Sequence, residues 1–160
     1  MESPLLSSHA MSDVEESEKL GDMPQPTQES TGLSLGNSAL KDLNYADAID
    51  NFEKVETDTE DYIGARTGIA NAYFYSHKFE KAAAEFNHIL QQKPDSVEAA
   101  IGLANAYLRL SQVTEQISAI NKAIAIEPEQ WLHYNNRATA YLMNGDHEQA
   151  KQDFTEAARL

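Results

Sequence analysis

Cysteine is absent from this chain of 160 residues. That excludes disulfides, thiol catalysis, thiolate metal sites and lipid attachment through cysteine, while leaving the compartment open. No apolar run approaches the roughly 20 residues that a membrane helix needs; the 41% of hydrophobic residues are interspersed with 24% of charged ones. The start, Met1-Glu2-Ser3-Pro4-Leu5-Leu6, has neither the basic region nor the long apolar stretch of a secretory signal, so a cytoplasmic location is expected. Positive charge is scarce, with 12 Lys and Arg against 26 Asp and Glu and a net charge of −14. Nucleic acid and anionic membrane surfaces both demand a basic footprint, so neither is an expected partner. A basic protein partner is compatible with that charge, and so is solubility alone.

The parts of an active site are missing too. There is no glycine-rich phosphate loop and no nucleophile elbow. His9, His77, His88, His133 and His147 lack the helical pairing of a metal site. Glu127 and Glu129 flank Pro128 at a turn, which suits helix caps better than an acid/base pair. The chain is expected to be no enzyme and to carry no metal and no cofactor.

What is present is a period. Ala70-Asn71-Ala72-Tyr73 falls on Ala104-Asn105-Ala106-Tyr107 after a shift of 34 residues, and on Ala138-Thr139-Ala140-Tyr141 after another; one shift backwards gives Gly36-Asn37-Ser38-Ala39. Ala48, Ala82 and Ala150 share a column that Gln116 interrupts. Phe52, Phe86, Ile120 and Phe154 form a second, Val55, Ile89, Ala123 and Ala157 a third, and Pro94 and Pro128 a fourth. A repeat of this length marks a stacked architecture in which each unit buries its apolar face against the next.

Within each unit the apolar residues recur at helical spacing in two stripes. The pattern predicts helices over 63–75, 79–91, 97–110, 113–126, 131–143 and 147–160, after a first pair beginning near Glu29 and Tyr45. Turns are expected at Ser76-His77-Lys78, Ser111-Gln112 and Asn144-Gly145-Asp146, with Gly145 in the left-handed position that ends a helix. Pro94 and Pro128 stop the second helix of their units. Asp95 with Glu98 reads as a capping box, and Asp58 or Thr59 as the cap after the first unit, which lacks the proline. Gly36 should face Ala48, Ala70 face Ala82, and Ala138 face Ala150 at close helix crossings. Gln116, opposite Ala104, is then expected to reach water or a backbone group and to splay the third unit. Residues 1–28, polar and acidic with Pro24 and Pro26, read as a disordered tail.

The spacing of 34, the Gly/Ala-Asn-x-Tyr element, the Ala-x-x-x-Phe element and the unit-ending proline together resemble the tetratricopeptide repeat family. The resemblance covers about 29–160, as units near 29–62, 63–96, 97–130 and 131–160. It implies an all-α, right-handed α-solenoid of four helix-turn-helix units whose first helices line a concave groove for a peptide or partner protein. On that frame the groove candidates are Asn37, Asn71, Phe74, Tyr75, Asn105, Leu108, Arg109, Asn136 and Leu142. The asparagines can donate to and accept from a peptide backbone, and the apolar and aromatic members suit an apolar anchor. Gly68 and Gly102 lie mid-helix, where glycine costs about 1 kcal/mol against alanine. Room for a ligand and tight packing between first helices both explain them.

Chaperone-binding members of the family hold a carboxylate with lysine and arginine. Here the matching places carry Leu33, Gly68, Glu98 and Gly102, with only Asn37 retained, so that clamp is not expected. The resulting expectation is an adaptor for a protein or peptide of apolar and basic character. Two alternatives stand beside it: a scaffold that self-assembles through an uncapped C-terminal edge near Phe154, Ala157 and Ala158, and the substrate-recognition part of a larger enzyme. A further expected feature is an acidic first unit, with eight acids and one lysine between Asp42 and Asp61.

Overall fold

A computed structural model describes the backbone of residues 28–160 and the side chains from residue 32 onward. The tail expected over 1–28 lies outside these residues except for Gln28, which opens the first helix. Eight helices follow in order: α1 (Gln28–Lys41), α2 (Tyr45–Phe52), α3 (Tyr62–Tyr75), α4 (Phe79–Gln92), α5 (Val97–Arg109), α6 (Val113–Ile126), α7 (Trp131–Asn144) and α8 (His147–Arg159). The later boundaries fall within a residue or so of those the periodicity predicts. Helix α2 is shorter than its stripe: it ends at Phe52, and Val55 is buried from the turn that follows.

Four helical hairpins result, α1–α2, α3–α4, α5–α6 and α7–α8, and each packs on the next. The turn inside every hairpin has one residue in the left-handed region: Leu43 (φ 58°), His77 (62°), Ser111 (58°) and Gly145 (85°). These positions are 34 apart, so one backbone device is used four times, and only the last uses the residue that adopts it freely.

Two caps differ from expectation. Ser96, rather than Asp95, caps α5, its Oγ accepting from the Ala99 N–H at 3.2 Å. Asp61 occupies the N-cap of α3 without a side-chain hydrogen bond, while the Thr59 hydroxyl turns back to donate to the Glu56 carbonyl at 2.8 Å. The acids of 58–61 are therefore spent on a loop, and the chain enters α3 one residue before the stripe begins.

The core follows the columns. Ala48, Ala70, Ala82, Ala138 and Ala150 are all buried, as are Phe52, Phe86, Ile69, Ile89 and Leu103. Glycine serves the phenylalanines instead of the helix crossings. A Cβ built on Gly36 or Gly68 overlaps the ring of Phe52, and one on Gly102 overlaps the ring of Phe86. Each ring thus lies across the first helix of the next unit, against backbone that only glycine exposes. The close neighbour of Gly36 is this ring rather than Ala48. At Gly68 and Gly102 the tight packing is with a second-helix aromatic from the preceding unit, not with an adjacent first helix.

The hairpins also bend into a curve. Helix α1 touches α3, and α3 touches α5, whereas no second helix touches another second helix among the described residues. The first helices therefore converge and the second helices diverge, which makes the α1–α3–α5–α7 layer the inner face. The layer opens towards its end, where α5 and α7 make no contact.

Candidate functional site

The side chains named from the sequence, Leu142 excepted, lie on the inner face, but in separate places. Asn37 is exposed on α1, in a shallow depression with Leu33, Ser34 and Lys41 that reaches Asp61. Phe74, Tyr75 and Arg109 gather around Phe79: the rings of Phe74 and Phe79 meet edge-on at 5.4 Å, Tyr75 packs edge-on to Phe74 at 5.7 Å, and the Arg109 guanidinium lies 4.8 Å from the Phe79 ring centre. Such a stacked guanidinium is worth about 0.5–1 kcal/mol at an exposed site. Tyr75 is 59% exposed and offers the open edge of this cluster. Asn71 is half-buried between Asn37 and Asn105 in sequence register. The side chains of Asn71 and Asn105 make no hydrogen bond to another described residue, so the ladder is not tied up in helix-to-helix contacts.

Asn105, Leu108 and Asn136 come together with residues of α6 around a cavity of about 140 Å³ between α5, α6 and α7. Gln116 and Ile120 form its floor, and Leu108 and Met143 are exposed at its mouth. Gln116 is only 6% exposed, and its Oε1 has no hydrogen-bond partner. That oxygen meets neither solvent nor a backbone group. The cavity is lined by both helices of the third hairpin, with Ala104 on α5 and Ala123 on α6, as well as by α7. His133, also buried, borders the cavity and shares a hydrogen bond between its Nε2 and Glu127 Oε2 at 3.0 Å.

Leu142 stands apart from these. It lies with Ala150, Lys151, Phe154 and Ala158 on the outward side of the last hairpin. Phe154 is 39% exposed there, against 1% for Phe52 and 2% for Phe86 in the same column.

One ionic site was not singled out from the sequence. Arg137 grips Asp153 with two parallel bonds, Nε to Oδ2 and Nη2 to Oδ1, both 2.7 Å, and its Nη1 donates to Asn121 Oδ1 at 2.8 Å. The rings of Tyr134 and Tyr141 lie 5.6 and 5.8 Å from the guanidinium. The hydrogen bonds to Asp153 raise the already high pKa of Arg137, so its charge is fixed. The signal was available: Arg137 breaks the column of Leu35, Ile69 and Leu103 at the same offset. This clamp joins α7 to α8 and reaches back to α6. Among the described residues no group of His, Asp and Glu is placed to hold a metal, and no helix is long and apolar enough to cross a membrane.

Comparison with known proteins agrees with this architecture. Tetratricopeptide repeat models match residues 67–130 and 119–152, together more than half of the chain. The chain belongs to the tetratricopeptide repeat family, and its fold is the right-handed α-solenoid of that family. Among solved structures it is similar to a crystal structure of MamA, with a TM-score of 0.74 and 21% identity over 83% of this chain and 77% of that one. A MamA structure from Desulfovibrio magneticus RS-1 gives 0.70 and 20% over 81% and 73%. A tetratricopeptide repeat protein from Parabacteroides merdae gives 0.75 and 14% over 81% and 52%. At these identities the likeness is one of fold. No curated protein matches the chain by sequence.

Proposed function

We propose that the chain is a non-catalytic adaptor of the cytoplasm that holds a peptide or partner protein along its inner face. The array divides into units near 29–62, 63–96, 97–130 and 131–160, and the first helix of each supplies the contact surface. The observation that carries this reading is the convergence of the first helices, which gathers exposed amides and apolar side chains on one curved surface. Asn71, Tyr75, Asn105, Leu108, Arg109 and Asn136 are the contact residues, with Asn37 and Phe74 extending the surface towards the first unit. The net charge of −14 steers a basic partner towards the array, while the apolar members take its anchor residues. No cofactor enters this role.

Affinity capture from native lysate tests it, comparing the intact protein with an Asn71→Ala, Asn105→Ala, Arg109→Glu variant whose helicity is verified by circular dichroism. Partners lost only by the variant support the inner face. Identical partner sets overturn it.

A second reading rests on Phe154. Two of its column mates, Phe52 and Phe86, are covered by a glycine-bearing helix of the next unit, and Phe154 is not. An interface between copies through Phe154 and Leu142 would cover it. Sedimentation across a wide concentration range, repeated with Phe154→Glu, decides: a monomer at every concentration removes this reading.

A further inference from the structure

The first two junctions between hairpins are built from the same three columns. At the first, Leu40 and Phe52 share an apolar cluster with Ile69 of α3. At the second, Phe74 and Phe86 share one with Leu103 of α5. The second-helix ring and the first-helix aliphatic chain are buried at both. The same columns reach the two ends of the array. Leu142 and Phe154 hold two of them on the last hairpin, and Leu35 holds the third on α1. All three are exposed, Leu35 to 50% where Ile69 is at 1% and Leu103 at 2%. The ends are thus the two halves of one junction.

We propose that copies of this chain join head to tail, the α7–α8 hairpin of one receiving α1 of the next, so that Leu35 joins Leu142 and Phe154 as Ile69 joins Leu40 and Phe52. The proposal rests on the association through Phe154 put forward above and names the surface that meets it. Each copy then continues the stack, with its contacts made to the nearest unit as they are within the chain.

Charge favours this polarity. Residues 131–160 hold four acids and three basic residues, whereas 42–61 of the first hairpin hold eight acids and one lysine. Head-to-head contact would press two acidic hairpins together, while head-to-tail contact sets an acidic one against a nearly neutral one. Tail-to-tail contact would pair second helices, which touch one another nowhere among the described residues, and would leave Leu35 uncovered.

Two positions depart from the internal junctions. Lys151 stands in the column of Ile49, Ala83 and Ile117; its methylene stem can lie along apolar surface while the ammonium stays in water. Ser34 stands where Gly68 and Gly102 lie against the rings, and a Cβ there overlaps a ring seated as Phe52 and Phe86 are. The ring of Phe154 must therefore shift to admit Ser34, which makes the joint between copies weaker than a junction within the chain.

Sedimentation velocity on the full chain tests this, in about 0.15 M salt so that repulsion between copies of net charge −14 is screened beyond about 8 Å. The unaltered chain is expected to grow past a dimer as concentration rises, since a heterologous contact leaves a free end on every assembly that does not close into a ring. Leu35→Glu and Phe154→Glu should each stay monomeric. Both positions are exposed on helices and glutamate is a good helix former, so both variants fold, as circular dichroism verifies. Mixed one to one, they should form a heterodimer and nothing larger, because the intact tail of one meets the intact head of the other and the altered ends stop growth. Ser34→Gly should tighten the association of the otherwise unaltered chain by about tenfold, the lower range of a relieved overpacking.

An unaltered chain that stays monomeric up to about 1 mM overturns the joint and the Phe154 reading together. If Leu35→Glu associates as the unaltered chain does while Phe154→Glu does not, an interface through Phe154 stands and its head-to-tail form falls. The head-to-tail form falls equally if the mixture of the two variants stays monomeric, or if Ser34→Gly associates no more tightly.

Discussion

Gly68 of α3 lies so close to the ring of Phe52 in α2 that a single added methyl would overlap the ring. The pair ties the first hairpin to the second, and its counterpart Phe86–Gly102 ties the second to the third. Gly68→Ala sets two effects against each other: a gain of about 1 kcal/mol in helix propensity and an overpacking cost of about 1–3 kcal/mol. The ring is buried on both sides, so overpacking wins, and a net loss of about 1–2 kcal/mol is expected in urea unfolding. In a Phe52→Leu background the same alanine should be stabilising, because only the propensity gain remains. Loss in both backgrounds would refute the ring as the cause.

The four hairpin turns make a prediction of opposite sign. A side chain in the left-handed region costs roughly 1–2 kcal/mol, and glycine gives back about 0.4–1 kcal/mol of that through the freedom of the unfolded chain. Ser111→Gly and Leu43→Gly should therefore stabilise by about 0.5 kcal/mol each. Gly145→Ala should destabilise by about 1 kcal/mol. That loss comes from the backbone alone, since nothing lies within 4 Å of the added Cβ. Denaturation midpoints of the three variants measure all of this.

The cap of α5 offers a sharper comparison. Ser96→Ala should cost about 1 kcal/mol through the lost bond to the Ala99 N–H, whereas Asp95→Ala one residue earlier should change stability by a few tenths at most. Equal losses would return the cap to Asp95.

These differences locate what the sequence could and could not convey. The helices were legible because the apolar stripes repeat four times in register, so the boundary at Val97 or Val113 is fixed by its equivalents elsewhere. The neighbour of Gly68 was not, because a column says which residues are equivalent and not which of them touch across a unit junction. Gln116 stood out as a break in the alanine column, yet the column does not say that a cavity shared with His133 and Asn136 of α7 lies beside it. Asn105, Leu108 and Asn136 do share a cavity, but Leu142, six residues beyond Asn136 on α7, lies on the other side of the last hairpin. A ladder drawn at constant spacing has no means of showing that turn.

Arg137 and Asp153 show how a column can be rewritten as a pair. Their places one unit earlier hold Leu103 and Ala119, both buried, so the fourth hairpin replaces an apolar contact with a bidentate ion pair. The Asp153 side chain is 8% exposed and cannot turn to water without leaving its helix packing. Removing only the guanidinium, in Arg137→Leu, strands a buried carboxylate and is expected to cost about 3 kcal/mol, the lower end for a broken buried pair because Arg137 itself is partly solvated. Adding Asp153→Ala restores the combination of the third unit, and most of the loss should be recovered, since well-packed apolar replacements of buried pairs are often close to neutral. The four-variant cycle, by urea unfolding, gives the coupling directly. A double variant as unstable as Arg137→Leu would mean that the pair is needed for more than its own neutralisation, and the contact from Nη1 to Asn121 on α6 would then be the part to remove next.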